Sequence, residues 1–144
     1  MTRGVFKSLA LVVGVSLASS AVGATPQAEV NAALRAHAPV YNGLFTAGLI
    51  KHIVDTCPDL QGPSRFARTR FFLGLYNQAR ALGYSRAQIE AFVDDKGEQE
   101  RLRGVVFNHL RGQGVSPTDA SAVCGFARAQ MQAGTDLGRQ LRER

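Results

Sequence analysis

Two histidines, His52 and His109, are the residues whose types and positions come closest to forming a chemical site. Each lies near the middle of a predicted apolar helix face, and Asp55 follows His52 by about one turn. Imidazole and carboxylate groups can bind a metal ion or transfer a proton. A zinc site, however, needs three or four ligands, and neither a His-Glu-x-x-His nor a Glu-x-x-His motif occurs. We therefore favour two core histidines, with a small metal or enzyme site as the alternative.

Asp94 and Asp95 form the main acidic concentration, with Glu98 and Glu100 shortly after them. Paired carboxylates divide acid and base roles in glycosidases. Adjacent residues on a helix point about 100° apart, so these two rarely face a common bond. The pattern instead favours helix capping, in which carboxylates lie near the positive end of a helix.

Arginines alternate with phenylalanines in a short run of the chain. Such a mixture is typical of surfaces that bind nucleic acid or anionic glycans. On a helix, however, we expect the phenylalanines to turn toward the core and the arginines to form a solvated rim. The arginines are Arg65, Arg68 and Arg70, and the phenylalanines are Phe66, Phe71 and Phe72.

Residues 1–24 have the three parts of an export signal. Arg3 and Lys7 supply the positive start, an apolar stretch covers residues 8–18, and small residues lead to a predicted cleavage after Ala24. The apolar stretch is too short to span a membrane. We therefore expect residues 25–144 to be a single domain in the periplasm or outside the cell, without a transmembrane segment after processing.

Cys57 and Cys124 are the two cysteines of the chain. In an exported protein they are expected to pair, because the compartment is oxidising. The bond would close a loop of about 70 residues, for which chain entropy predicts a stabilisation of about 4 kcal/mol. A redox role is the rival interpretation, but the chain has no Cys-x-x-Cys motif.

The predicted mature chain is long enough for one hydrophobic core. Loss of Arg3 and Lys7 lowers the number of basic residues from 17 to 15, against 11 acidic ones, which leaves a net charge of +4. This moderate excess favours a solvated basic surface. For an exported protein, the partners it suggests are an envelope or secreted protein or an anionic surface.

The composition, rich in Ala, Leu, Arg and Gln without alternating strand patterns, predicts an all-α fold. We expect a small bundle of five to six short helices, pinned by one disulfide. The tail after residue 135 either adds a short helix or frays. The predicted helices cover about residues 27–37, 40–56, 64–82, 85–94, 96–110 and 116–133.

The third predicted helix is our candidate for the centre of the core. Ser64 begins it as an N-cap, and Gly83 ends it in a left-handed conformation. Phe66 and Leu73 point away from its main apolar face, so we expect neighbours on more than one side. Ser85 then begins the fourth helix with a capping box.

Three stretches of the chain resemble a known family: residues 51–57 (KHIVDTC), 79–96 (ARALGYSRAQIEAFVDDK) and 124–141 (CGFARAQMQAGTDLGRQL). That family is described only as a domain of unknown function, found in small exported proteins of marine alphaproteobacteria. The resemblance covers most of residues 25–144. It implies an exported helical protein with this cysteine pair, and it implies no activity, ligand or catalytic residue.

We expect the protein to be an exported, non-enzymatic binding or structural module of unknown ligand. An inhibitor or immunity-type protein that acts on another envelope or secreted protein is one alternative. A histidine-based metal or enzyme site at His52 and His109 is the other. No catalytic residue, cofactor or nucleic-acid partner is predicted.

Overall fold

A computed structural model of the protein describes residues 24–144 and contains six α-helices there. The predicted export signal therefore lies outside the described residues, except for Ala24. The all-α fold is confirmed, and none of the helices in this part of the chain is both long and apolar enough to span a membrane. The helices are α1 (Gln27–Ala36), α2 (Ala38–Thr56), α3 (Arg65–Ala81), α4 (Arg86–Asp94), α5 (Lys96–Gly112) and α6 (Ala120–Ala133).

Local signals set the helix ends much as the sequence predicts. The Ser64 hydroxyl accepts the N–H of Ala67 at the start of α3. At the start of α4, Ser85 and Gln88 exchange the two hydrogen bonds of a capping box. Gly83 after α3 and Gly134 after α6 have φ values of 95° and 63°, a conformation that glycine adopts without strain.

Helix α6 begins later than predicted. Asp119, rather than Ser116, is its N-cap, because the Asp119 carboxylate accepts the N–H of Ala122 at 3.1 Å. Helix α2, in contrast, begins two residues earlier than predicted. Pro39 lies in its first turn, where a backbone N–H would have no hydrogen-bond partner within the helix, so the N–H that proline lacks costs no hydrogen bond.

A two-stranded sheet joins the connector after α2 to the C-terminal segment, which the sequence did not predict. Strands β1 (Leu60–Gln61) and β2 (Arg142–Glu143) pair antiparallel, with Leu60 opposite Glu143. A short 3₁₀ turn, Gly138–Gln140, precedes β2. The tail is thus neither an α-helix nor frayed, because backbone pairing with β1 holds it and Leu141 is buried.

Two clusters of buried side chains form the interior. We call the larger one the main core; it gathers residues from α2, β1, α5, α6 and the C-terminal segment. The smaller one, the minor core, lies between α1, α3 and α4. The main core includes Ile53, Cys57, Leu60, Leu110 and Val123, and the minor core consists of Val30, Leu34, Ala79, Ile89 and Phe92.

The predicted disulfide is present within the main core. Cys57 follows the last residue of α2 and is buried, and Cys124 lies in the second turn of α6. Their sulfur atoms are 2.02 Å apart. The bridge therefore joins two helices that are separated by 67 residues of sequence.

Candidate binding surface on helix α3

Helix α3 lies at the edge of the bundle. It packs against α2 and α4, and its buried residues are Leu75 and Ala79. The prediction that α3 forms the centre of the core is therefore wrong. Its apolar side chains are spread too widely around the helix for a single packed face to cover them.

Phe66 and Leu73 form an apolar face on the outer side of α3. They lie seven residues apart, about two helical turns, and so point in nearly the same direction. Phe66 is 76% exposed and Leu73 is 55% exposed. The sequence predicted that these side chains point away from the main apolar face, which is confirmed. No element within residues 24–144 covers them.

Phe71 and Phe72 lie between the buried and the outer side of α3. They are 38% and 46% exposed, and their rings contact each other edge to face with centroids 5.5 Å apart. The prediction that all the phenylalanines of this run turn inward is thus wrong. Leu75 and Ala79 already occupy the positions that face α2 and α4, so the aromatic rings remain partly in solvent.

The positive charge of the domain is concentrated around α3. Residues 60–89 contain five arginines and no Asp or Glu. The remainder of residues 25–144 has ten basic residues against 11 acidic ones. The excess of positive charge predicted for the mature chain therefore comes from this one segment.

The four arginines on α3 form no ion pair with a carboxylate of residues 24–144. The ion pairs among residues 24–144 do not include Arg65, Arg68 or Arg70. Arg80 donates a hydrogen bond to the carbonyl of Tyr84 at 2.7 Å, which still leaves its charge without a counter-charge. The α3 surface therefore attracts anions.

An open apolar groove of about 520 Å³ runs between α3 and α4. Its lining includes Leu34, Leu44, Phe72, Tyr76, Ile89 and Phe92. Along the α4 edge, Arg86 and Glu90 form an ion pair at 2.6 Å. The hydrogen bond and charge of Glu90 raise the pKa of Arg86 above its ordinary value. Phe72 and Tyr76 also belong to the outer surface of α3, so groove and surface are continuous.

His52 is engaged in packing and in one hydrogen bond. Its Nε2 atom lies 2.9 Å from the carbonyl oxygen of Pro117, and its ring lies 5.0 Å from that of Phe107. Asp55, one turn later, forms an exposed ion pair with Lys51 at 2.5 Å. The structure thus does not bring Asp55 and His52 together as an acid/base pair.

His109 also packs between α5 and α2, at a residue of α2 about two turns before His52. Its ring packs edge to face on Phe45, with centroids 5.1 Å apart. In residues 24–144, no three His, Cys, Asp or Glu side chains are grouped so as to hold a metal ion. Each histidine is therefore placed as a half-buried packing residue with its own aromatic neighbour.

Asp94 and Asp95 have separate roles. Asp95 is the N-cap of α5, and its carboxylate accepts the N–H of Glu98 at 2.9 Å. Asp94 ends α4 and lies on the rim of the groove. The prediction of helix capping is confirmed for Asp95, and the two carboxylates do not form a paired site.

Sequence reasoning considered the arginine and phenylalanine run of α3 as a binding surface and set it aside in favour of core packing with a solvated rim. The signal for such a surface was present in Phe66 and Leu73, which fall outside the apolar stripe of their helix. We interpreted them as evidence for a second packing partner within the domain. Within residues 24–144 that partner is missing, which leaves the position open to another molecule.

Comparison with known proteins gives one match. A family model described as a family of unknown function (DUF5333) matches residues 32–142. The resemblance to a family of unknown function predicted from the sequence is thereby confirmed. No curated protein and no solved structure matches the chain.

Proposed function

The chain belongs to this family of unknown function, DUF5333, and we propose that it is an exported, non-enzymatic binding module. Its binding surface is the outer face of α3. The observation that carries this proposal is the exposure of Phe66 and Leu73 among arginines that have no carboxylate partner. Exposed apolar side chains rimmed by charge are typical of interaction sites.

Export is supported by the disulfide. Bonds of this kind persist in oxidising compartments and are rare in the cytosol. The Cys57–Cys124 bond agrees with the export signal predicted over residues 1–24. We therefore propose a periplasmic or secreted location.

A binding role is favoured over an enzymatic one by the positions of the polar residues. His52 and His109 each pack on their own aromatic ring, and Asp95 is occupied as a cap. The α3 surface, in contrast, has side chains that lack partners. An inhibitor or immunity-type protein would use this same surface against a protein target, and the comparison of lipid vesicles with an envelope protein in the next subsection separates that alternative.

The test measures retention of the protein on a washed envelope fraction. The double variant Phe66→Ser/Leu73→Ser removes the apolar face, and Val105→Ser is the matched control, because Val105 is an exposed apolar residue on α5. We expect at least about tenfold weaker retention for the double variant, since two apolar contacts are lost. Val105→Ser should bind like the wild type.

Circular dichroism and the melting temperature establish that each variant is folded before retention is compared. Equal retention of the wild type and of the folded double variant would overturn the proposal. So would an enzymatic activity that survives in the double variant and disappears when His52 is replaced.

A further inference from the structure

We propose that the ligand of the α3 surface is an anionic phospholipid membrane, against which α3 lies lengthwise. This inference rests on the proposed function of α3 and names the chemistry of its partner. It requires that the surface present one sign of charge, that apolar side chains project from it, and that a flat partner fit better than a compact one.

The charge requirement is met along the whole helix. Helix α3 has 17 residues and is about 25 Å long at 1.5 Å per residue. Its four arginines are distributed from the first turn to the last, and no carboxylate lies on it. At about 100° per residue, Arg70 and Arg80 lie within about 60° of the direction of Phe66 and Leu73, whereas Arg68 lies on the opposite side of the helix. An extended surface of negative charge against the outer face therefore opposes Arg70 and Arg80 with Arg65 at its edge.

Phe66 and Leu73 meet the apolar requirement. Arg70 follows Phe66 by four residues and precedes Leu73 by three, so it is a helix neighbour of both. An interfacial helix has this composition, with aromatic and aliphatic side chains entering the acyl boundary while arginines remain at the headgroups. The exposure of Phe66 and Leu73 leaves both free to insert.

Other partners fit less well. A second copy of the chain docked through the same surface would oppose arginine to arginine, which is repulsive. A protein partner would need acidic residues along about 25 Å with hardly any basic ones, whereas most protein surfaces carry both signs. Lipid headgroups supply that uniform charge without a dedicated sequence.

The first test is sedimentation with vesicles. The oxidised protein, with intact mass showing that it begins at Thr25, is mixed with phosphatidylcholine vesicles that contain either no or about 30 mol% phosphatidylglycerol. We expect binding to the anionic vesicles only. Raising the salt concentration from about 50 mM to about 500 mM should weaken it strongly, because the Debye length shortens.

Variants locate the contact on the domain. Each arginine beside an anionic surface strengthens binding about fivefold, so Arg70→Glu should weaken vesicle binding about 25-fold. Arg103→Glu is the matched control, since Arg103 is an exposed arginine on α5. Phe66→Ser/Leu73→Ser should also weaken binding, whereas Val105→Ser should not.

Tryptophan fluorescence reports insertion directly, because the chain contains no tryptophan. Phe66→Trp introduces a single tryptophan at the centre of the proposed contact, and Val105→Trp places one on α5 as the control. We expect a blue shift with anionic vesicles for Phe66→Trp and none for Val105→Trp. An unshifted Phe66→Trp spectrum on vesicle-bound protein would overturn the orientation proposed for α3.

The outcomes also separate this inference from the function on which it rests. Equal binding to neutral and anionic vesicles, or an equal loss in Arg70→Glu and Arg103→Glu, would overturn the membrane proposal. Absence of vesicle binding, combined with Phe66-dependent capture of an acidic envelope protein, would overturn it as well and leave the binding module intact. If neither vesicles nor the envelope fraction bind, both proposals fail.

Discussion

The main core and the region around α3 differ in how completely they cover their apolar side chains. In the main core, Ile53, Leu60 and Leu110 are fully buried, and the disulfide and the β1–β2 pairing close its edges. In α3, two of 17 residues are buried. The same small domain thus contains a sealed region and a region with exposed phenylalanines.

This contrast separates the residues that stabilise the fold from those of the proposed binding surface. Because α3 lies at the edge of the bundle and buries little apolar area, it contributes little to the free energy of folding. The disulfide compensates for that in a domain of this size, since it destabilises the unfolded chain instead of adding contacts. The covalent bond therefore allows α3 to keep side chains in solvent that a protein without it would need in its core.

Among the changes that test this contrast, removal of the disulfide should have the largest effect on the free energy of unfolding. Cys57→Ala/Cys124→Ala is expected to lower the free energy of unfolding by about 4 kcal/mol, since the loop entropy of the unfolded chain is restored. For a domain of this size, that corresponds to a fall in melting temperature of about 15 °C. Thermal unfolding followed by circular dichroism measures it.

The helical signal of this variant should survive at low temperature. The matched control is Phe66→Ser/Leu73→Ser, whose free energy of unfolding should change by no more than about 0.5 kcal/mol, as is usual at exposed positions. The division into two regions fails if the α3 variant destabilises the protein as much as loss of the bridge does.

Replacing glycine by alanine should change the free energy of unfolding in opposite directions in the two regions. A Cβ atom on Gly138 would overlap the backbone carbonyl oxygen of Gln130, at the end of α6. Gly138→Ala should therefore destabilise the protein by about 1–3 kcal/mol. Gly74 lies within α3, and a Cβ there meets nothing within 4 Å in residues 24–144 beyond its chain neighbours and the nearby backbone of its own helix. Gly74→Ala should stabilise it by about 0.5–1 kcal/mol.

Chemical denaturation of both glycine variants gives the two values in one assay. A destabilising Gly74→Ala would mean that another part of the molecule packs closely on α3. The α3 surface would then not be open in the free protein.

Replacement of His109 should have the smallest effect. His109→Leu exchanges a half-buried ring on Phe45 for an apolar side chain, so the free energy of unfolding should change by no more than about 1 kcal/mol. Elemental analysis accompanies the unfolding measurement. Stoichiometric zinc, iron or copper in the wild type that is lost in His109→Leu would revive the metal alternative.

The helices and the disulfide were predictable because their signals are local. Ser64, Ser85, Gly83 and Gly134 act on hydrogen bonds within a few residues of themselves. The disulfide could be predicted because an exported protein meets an oxidising compartment and this chain has two cysteines. The sequence predicted that α6 begins at Ser116, and the actual N-cap, Asp119, depends on the geometry of the folded loop.

The place of α3 in the bundle was not predictable in the same way. Phe66 and Leu73 show that a second side of the helix is apolar, but the sequence does not say whether that side meets the core or solvent. The strand pair β1–β2 was missed for a related reason. A strand of two residues shows no periodicity, and the partner strand lies about 80 residues away in the sequence.

The bridge also determines how a mechanical load on α3 would be carried. Helices α3, α4 and α5 all lie inside the covalent loop between Cys57 and Cys124. A force applied to α3 is transmitted along the chain toward Cys57 on one side and toward Cys124 on the other. On both sides it reaches the disulfide bond. The bridge therefore carries the load, and neither α2 nor the part of α6 after Cys124 can be unwound one residue at a time from this side.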